Sequence, residues 1–405
     1  MTTDETTDGR TDGDATNGAT EADATTNGAT GNEATTNGHA DVDATTGADA
    51  TTSDHADVDA TTSDRADPPT IAITGAAGFI GSRVATLLQE AHPEWELVLT
   101  DNFYLGKVRE IGGQAIEYLD VRNRERLEER FAGADVVLHL AAISGVDDCD
   151  EHRDLAYDVN VTGTNNVAWF CRKTGAGLVF PFSMAVLGDP ETFPITTDLE
   201  RDPMNWYGRT KLLGEQAIDA LAEDAFPAHM FLKSNLYGEH RIDGRTITKG
   251  TVINFFVGRA FADAPLTVYE PGTQSRNFIH VKDVARAYVH SAERLLEQLA
   301  AGETGVEKFE IASEEDPGVM AVGELVQRAA REEAGIETEV ALVENPRSGE
   351  TMVEEFAVDT STARETLGWK PEHTVEETVR ALIRRKAADV DAEAEAEADA
   401  NANAQ

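Results

Sequence analysis

The chain has 405 residues, with 75 acids against 34 lysines and arginines and a formal charge of −41 at pH 7. A surface of that sign repels nucleic acid and anionic membrane, so neither is an expected partner. Its two cysteines, Cys149 and Cys171, have no companions at metal-ligand spacing; no disulfide framework and no metal site is expected, and a reducing cytoplasm is the expected compartment.

Residues 1–68 are nearly pure Thr, Ala, Asp, Gly, Asn and Ser, with Val42 and Val58 the only sizeable apolar residues after Met1. The unit at 39–46 returns at 55–62, yet it offers no apolar face to stack. That composition predicts an acidic low-complexity tail without a fold rather than a solenoid. The repeated His-Ala-Asp triplets have no further donor cluster to make them metal ligands. No signal peptide and no membrane helix is expected, because no run approaches the roughly 18 apolar residues of a span. A second acidic tail, 389–405, either extends the last helix or frays. Sixteen acids against two arginines in 1–68, and six acids from Asp389 onward, leave −21 on residues 69–388. With arginine outnumbering lysine, this charge suggests adaptation to a salt-rich cytoplasm, where counterions screen self-repulsion.

The folded part opens on an apolar, β-branched run, Ile71-Ala72-Ile73, that breaks at Gly75; Gly78 and Gly81 follow before an amphipathic segment. This is the pattern of a buried strand, a glycine turn and a helix start, where backbone N–H groups can lie against a pyrophosphate. Asp101 follows a second apolar run, Leu97-Val98-Leu99, twenty residues beyond Gly81. An acid there accepts from both ribose hydroxyls and repels a 2′-phosphate, which points to NAD rather than NADP.

Strands and helices then alternate. Residues 116–119 read as a short strand ending at Asp120-Val121, 123–131 as a helix, and Val136-Val137-Leu138-His139-Leu140 as a buried strand before Ala141-Ala142. His139 is expected to be a packed core residue. A helix is expected over 152–174, carrying Asn160, and a strand over 177–182 ending at Ser183. A further helix opens at Asn205-Trp206-Tyr207 and runs to about Glu223. The alternation predicts an α/β fold, a doubly wound parallel sheet of Rossmann type, with ligands beyond the carboxyl ends of the strands. The NAD-binding domain with the catalytic residues is expected over 69–248. A smaller substrate-binding lobe takes up most of 249–388, with 276–300 returning to the first domain.

Tyr207 and Lys211 are four residues apart and share a helix face. An ammonium one turn away, together with a positive nicotinamide ring, would favour the phenolate over the ordinary phenol, whose pKa is about 10. Tyr207 then serves as general base or acid toward a carbinol, Ser183 hydrogen-bonds the same oxygen, and Lys211 donates to the nicotinamide ribose. Taken alone, Tyr-x-x-x-Lys is equally the pattern of a solvated surface pair.

Taken together, these motifs resemble the extended short-chain dehydrogenases/reductases, specifically the NAD-dependent epimerase/dehydratase family that includes UDP-glucose 4-epimerase. The likeness covers about 70–385 and rests on Gly75-Ala76-Ala77-Gly78-Phe79-Ile80-Gly81, Asp101-Asn102, Leu119-Asp120-Val121, His139-Leu140-Ala141-Ala142, Asn160, Ser183, and Tyr207 with Lys211. It continues through Ser234-Asn235-Leu236-Tyr237-Gly238 and residues 276–285. The resemblance implies a dinucleotide lined by Phe79, Ile80, Asn102, Val121, Leu140, Ala141 and Ala142, with Asp120 at the adenine and Asn160 ordering the site. It places Ser144 and Asn235 against the substrate and Arg276 on its diphosphate, a role suited to a planar guanidinium. Arg347 resembles a second phosphate arginine, with Glu350 toward the nucleotide ribose; a solvated loop arginine is the competing reading. Tyr269 falls where the family supports the base, or it packs in its strand.

Two departures matter. Met184-Ala185 follow Ser183 where the sugar dehydratases tend to carry two acids, and no decarboxylase-type glutamate is nearby, so loss of water is disfavoured. Leu232-Lys233-Ser234 lacks the arginine common before the asparagine. The expected activity is an NAD-dependent nucleotide-sugar epimerase, UDP-glucose 4-epimerase-like, with a tyrosine base and transient hydride transfer. A net nucleotide-sugar or alcohol oxidoreductase is the alternative, and a non-catalytic NAD sensor a more distant one. A homodimer through the helices bearing Asn160 and Tyr207 is implied.

Overall fold

Ile71, Ala72 and Ile73 are wholly buried in strand β1 (Thr70–Thr74), as a strand covered on both faces requires. The structure, a computed structural model, describes residues 67–346 and 351–403, with backbone alone from 393 onward. The expected tail at 1–66 and the positions Arg347 and Glu350 lie outside the described residues.

The central sheet adds β2 (Glu96–Asp101), β3 (Glu117–Tyr118), β4 (Val136–His139), β5 (Gly177–Ser183) and β6 (Pro227–Lys233). Every neighbouring pair is parallel. A seventh strand, β7 (Gly305–Ile311), pairs with β6 along its whole length, giving the order β7-β6-β5-β4-β1-β2-β3. The sequence reading placed Phe309-Glu310-Ile311 in the covering lobe. Instead Phe309 and Ile311 are buried against the sheet, where this run covers the edge of β6. Strand order reverses between β1 and β4, the place where a doubly wound sheet opens a crevice at its carboxyl edge.

Side chains alternate between two cores. Leu178, Phe180 and Phe182 face one with Phe131, Phe170 and Ile218. Val179, Val136 and Leu138 face the other with Val84, Leu88 and the long helix α5 (Val281–Ala301). Helix α1 (Phe79–Ala91) starts at Gly78 as the glycine pattern implies. The short helix α2 (Arg124–Arg130) is capped by Asn123, whose side chain accepts from the Arg126 N–H.

The expected single helix over 152–174 is broken. Between Arg153–Tyr157 and α3 (Thr164–Thr174) lies a π-helical turn, Asp158–Gly163. It holds Asn160 inward, and its Gly163 packs so close to Val121 that a Cβ would come within 2.5 Å of Val121 Cγ2. Helix α4 (Trp206–Ala222) begins at Asn205, whose Oδ1 accepts from the Gly208 N–H at 2.9 Å. A third core lies among Phe256, Val257, Val268, Val322, Val326, Val379 and Ile383, contributed by elements of the expected lobe. The last helix, Val375–Asn403, runs on through the acidic tail. Among the described residues no helix is long and apolar enough to cross a membrane, and no group of three or more metal-ligating side chains is clustered.

Candidate active site

The carboxyl edges of the strands border one cavity of about 1100 Å³. Its floor is the turn after β1. Gly75 adopts φ +71°, and a Cβ there would meet the Ala141 backbone nitrogen at 2.7 Å, across the point where strand order reverses. Gly81 passes so near this turn that a Cβ would lie 2.1 Å from the Gly75 carbonyl oxygen. Helix α1 can therefore approach the strand only where side chains are missing. No side chain caps it at Gly78, which leaves first-turn N–H groups facing the cavity beside Phe79 and Ile80.

Asp101 ends β2 on the cavity wall next to Asn102. Burial pushes its carboxyl above the ordinary value, while N–H bonds from Phe103 (2.6 Å) and Ala77 (3.0 Å) stabilise the charge and fix its orientation. Val121, Leu140, Ala141 and Ala142 also line the cavity. These residues fit a dinucleotide: an amide-lined turn for the pyrophosphate, a fixed acid for a ribose diol, and a small-residue wall.

Asp120 and Asn160 stand just outside the cavity lining. Asp120 is held by the Arg122 guanidinium at 2.9 and 2.7 Å, and these bonds keep its carboxyl below the usual range. It does not line the cavity, whereas its neighbours Leu119 and Val121 do. Asn160 is also behind the wall. Its amide accepts from the Ile143 N–H and donates to the Ile143 carbonyl, both at 2.9 Å, and donates to Thr210 Oγ1 at 3.0 Å. Asn160 thus ties the loop after β4 to α4 and positions the site without touching it. His139 is the packed residue expected, between Thr74 Oγ1 and Thr164 Oγ1.

Ser183, Tyr207 and Lys211 converge on the cavity from the end of β5 and the start of α4. The phenol shares the cavity wall with Ser183, whose Oγ accepts from the Ala185 N–H at 3.2 Å and whose hydroxyl favours the phenolate. Burial pushes the Tyr207 phenol up to about 12, the Ser183 hydroxyl only partly opposes this, and Lys211 does not act on it. The reason is where the lysine goes: its Nζ donates to the Pro181 carbonyl at 3.1 Å and lies over the Phe180 ring. Burial lowers Lys211 itself to about 8.

Ser144, Asn235, Tyr269 and Arg276 line the same cavity. Asn235 donates to the Asn277 carbonyl at 3.3 Å. Arg276 donates to the carbonyls of Ser275 (2.7 Å) and Thr351 (2.6 Å), which fixes its guanidinium. Lys233 and Lys249 are among the wall residues that escaped the sequence reading as site residues. Lys233 could have been found, since it directly follows the apolar run Met230-Phe231-Leu232 and so had to fall at the carboxyl edge. Lys249 lies in a loop with no such signal.

Comparison with known proteins agrees with this geometry. Residues 71–304 match the NAD dependent epimerase/dehydratase family. The chain is 31% identical over 322 residues to the "Putative UDP-glucose 4-epimerase" of Methanocaldococcus jannaschii, covering 77% of this chain and 97% of that one. It is 28% identical over 346 residues to the UDP-glucose 4-epimerase of Pisum sativum, covering 78% and 95%. The fold superposes on the crystal structure of the Thermus thermophilus UDP-glucose 4-epimerase complex with NAD, with TM-score 0.64, 25% identity and coverage of 78% and 97%.

Proposed function

The chain belongs to the NAD dependent epimerase/dehydratase family, and from that premise we propose that it is an NAD-dependent nucleotide-sugar 4-epimerase. The observation that carries this reading is the convergence of Ser183, Tyr207 and Lys211 on a glycine-floored cavity large enough for a dinucleotide and a nucleotide sugar together. When bound, NAD supplies a reversible hydride acceptor and a positive charge beside the phenol.

The protein's own part is positioning and proton transfer. The turn at Gly75–Gly81 holds the pyrophosphate, and Asp101 selects against a ribose phosphate. Tyr207 Oη takes the proton of the sugar 4-hydroxyl and returns it on either face of the ring, with Ser183 Oγ donating to the same oxygen. With the phenol at about 12 in the protein alone, it stays protonated until a positive charge arrives; the base is switched on by cofactor binding. Lys211 fixes the end of β5 through the Pro181 carbonyl. Arg276 clasps the diphosphate. Met184 and Ala185 put no carboxylate beside the sugar, which supports retention of water during the cycle. The dimer seam of this reading runs along α3 and α4, supported by the exposure of Trp169 and Leu213 on those packed helices.

Purified protein should interconvert UDP-sugars differing at C4 without added reductant and without net NADH. Absence of turnover with every nucleotide sugar, together with net NADH from another alcohol, would overturn the reading.

A further inference from the structure

Lys233 is the last residue of β6 and stands level with Ser183, its register partner on β5. Neighbouring parallel strands present paired residues to the same side, so the lysine lies beside the hydroxyl that marks the reacting carbon. Its ammonium has no hydrogen bond or ion pair among the described residues. Lys211 and Lys249 line the same cavity. The chain holds nine lysines in all, and four of them, Lys107, Lys211, Lys233 and Lys249, line this cavity beside Asp101, Asp147 and Asp148, a local excess of positive charge in so acidic a protein.

Burial, reinforced by the facing charges of Lys249 and Lys211, lowers Lys233 to about 7, and Lys249 is lowered chiefly by burial as well. Lys249 donates to Ser144 Oγ at 2.7 Å and faces the exposed Asp148 and the buried Cys149; Asp147 also lies on this wall. No carboxylate acts on Lys233 itself. An uncompensated ammonium in a buried site is costly, and a nicotinamide cation would add to the repulsion. A ligand that brings a negative charge to this wall removes the cost. The diphosphate is already assigned to Arg276, so the missing charge belongs to the sugar.

We propose that the cavity takes a nucleotide sugar whose ring carries a carboxylate, a nucleoside-diphosphate uronic acid, paired by Lys233 and Lys249 next to the reacting hydroxyl. This deepens the epimerase reading above and rests on it. Lys233 contacts the carboxylate and decides between acidic and neutral sugars; Lys249, already tethered to Ser144, bridges from the loop above.

The test uses the full chain loaded with NAD, assayed on UDP-glucuronic acid and on UDP-glucose, with binding of each followed by calorimetry. The expected result is a kcat/KM ratio favouring the uronate by about tenfold or more, as a desolvated charge pair provides. Lys233→Met should collapse that ratio, and Lys233→Arg should keep most of it. Lys249→Met provides a second variant, and a melting curve on each shows whether it is folded. Turnover of both sugars with no preference for the uronate, or a preference untouched in folded Lys233→Met, overturns the inference and leaves the epimerase reading standing. Failure to bind or convert either sugar overturns both.

Discussion

Tyr207 illustrates how one side chain can be legible by type and misread by state. The sequence places a phenol one helical turn from an ammonium, and that proximity argues for an acidic phenol. In the fold the ammonium is drawn to the Pro181 carbonyl and the Phe180 face, and burial decides the matter in the opposite direction. Replacing Tyr207 by Phe should lower kcat by about 10²–10⁴-fold, the usual worth of general acid–base catalysis, with dinucleotide affinity retained. Equal turnover of the variant and the parent would remove Tyr207 from the mechanism. At the same scale, the Asp120 carboxylate is held in place by its neighbour Arg122.

Among the elements, the π-helical turn Asp158–Gly163 matters most for the site. Periodicity alone reads 152–174 as one helix, since an inserted residue shifts the apolar stripe without erasing it. The extra residue aims Asn160 at the loop carrying Ile143 and Ser144, so the turn sets one wall of the cavity. Asn160→Ala would leave the Ile143 N–H and carbonyl and Thr210 Oγ1 without this partner, in a region closed to water. A loss of about 1–3 kcal/mol is expected, read as a lower urea midpoint, together with weaker substrate binding. An unchanged midpoint would mean that the loop is held by other contacts. A similar closing role falls to β7, an edge strand supplied from beyond residue 300.

On the scale of the whole molecule, Asp283 joins the start of α5 to the C-terminal segment. It accepts from His373 Nδ1, from Arg286, and from the backbone N–H groups of Glu372 and His373. Burial alone would raise its carboxyl, but the His373 and Arg286 bonds outweigh it and hold the group at about 2 against an ordinary 3.8. A depressed carboxyl stabilises the fold above the unfolded value and loses that contribution as pH falls toward the folded one. This amounts to about 2 kcal/mol. The stability gap between the parent and Asp283→Asn should therefore narrow between pH 5 and pH 2.5; a constant gap would show that the charge contributes nothing. The net charge of −41 acts everywhere at once. Added KCl shortens the range of self-repulsion from about 10 Å at 0.1 M to about 3 Å at 1 M, so unfolding midpoints should rise with salt. A midpoint that falls would count against charge repulsion as the dominant stress.

Read by itself, the sequence determined the parallel sheet, the glycine turn, Asp101 and the Ser183, Tyr207 and Lys211 set. Each of these depends on local pattern: apolar runs alternating with helical segments, missing side chains at a turn, a one-turn spacing. The tertiary structure alone decided the edge strand, the inward turn of Asn160, the engagement of Asp120 and the phenol's high pKa. It also brought Lys233 and Lys249 to one wall. Those outcomes depend on which distant groups become neighbours, and on how much water folding removes from around them, quantities that no stretch of chain carries within itself.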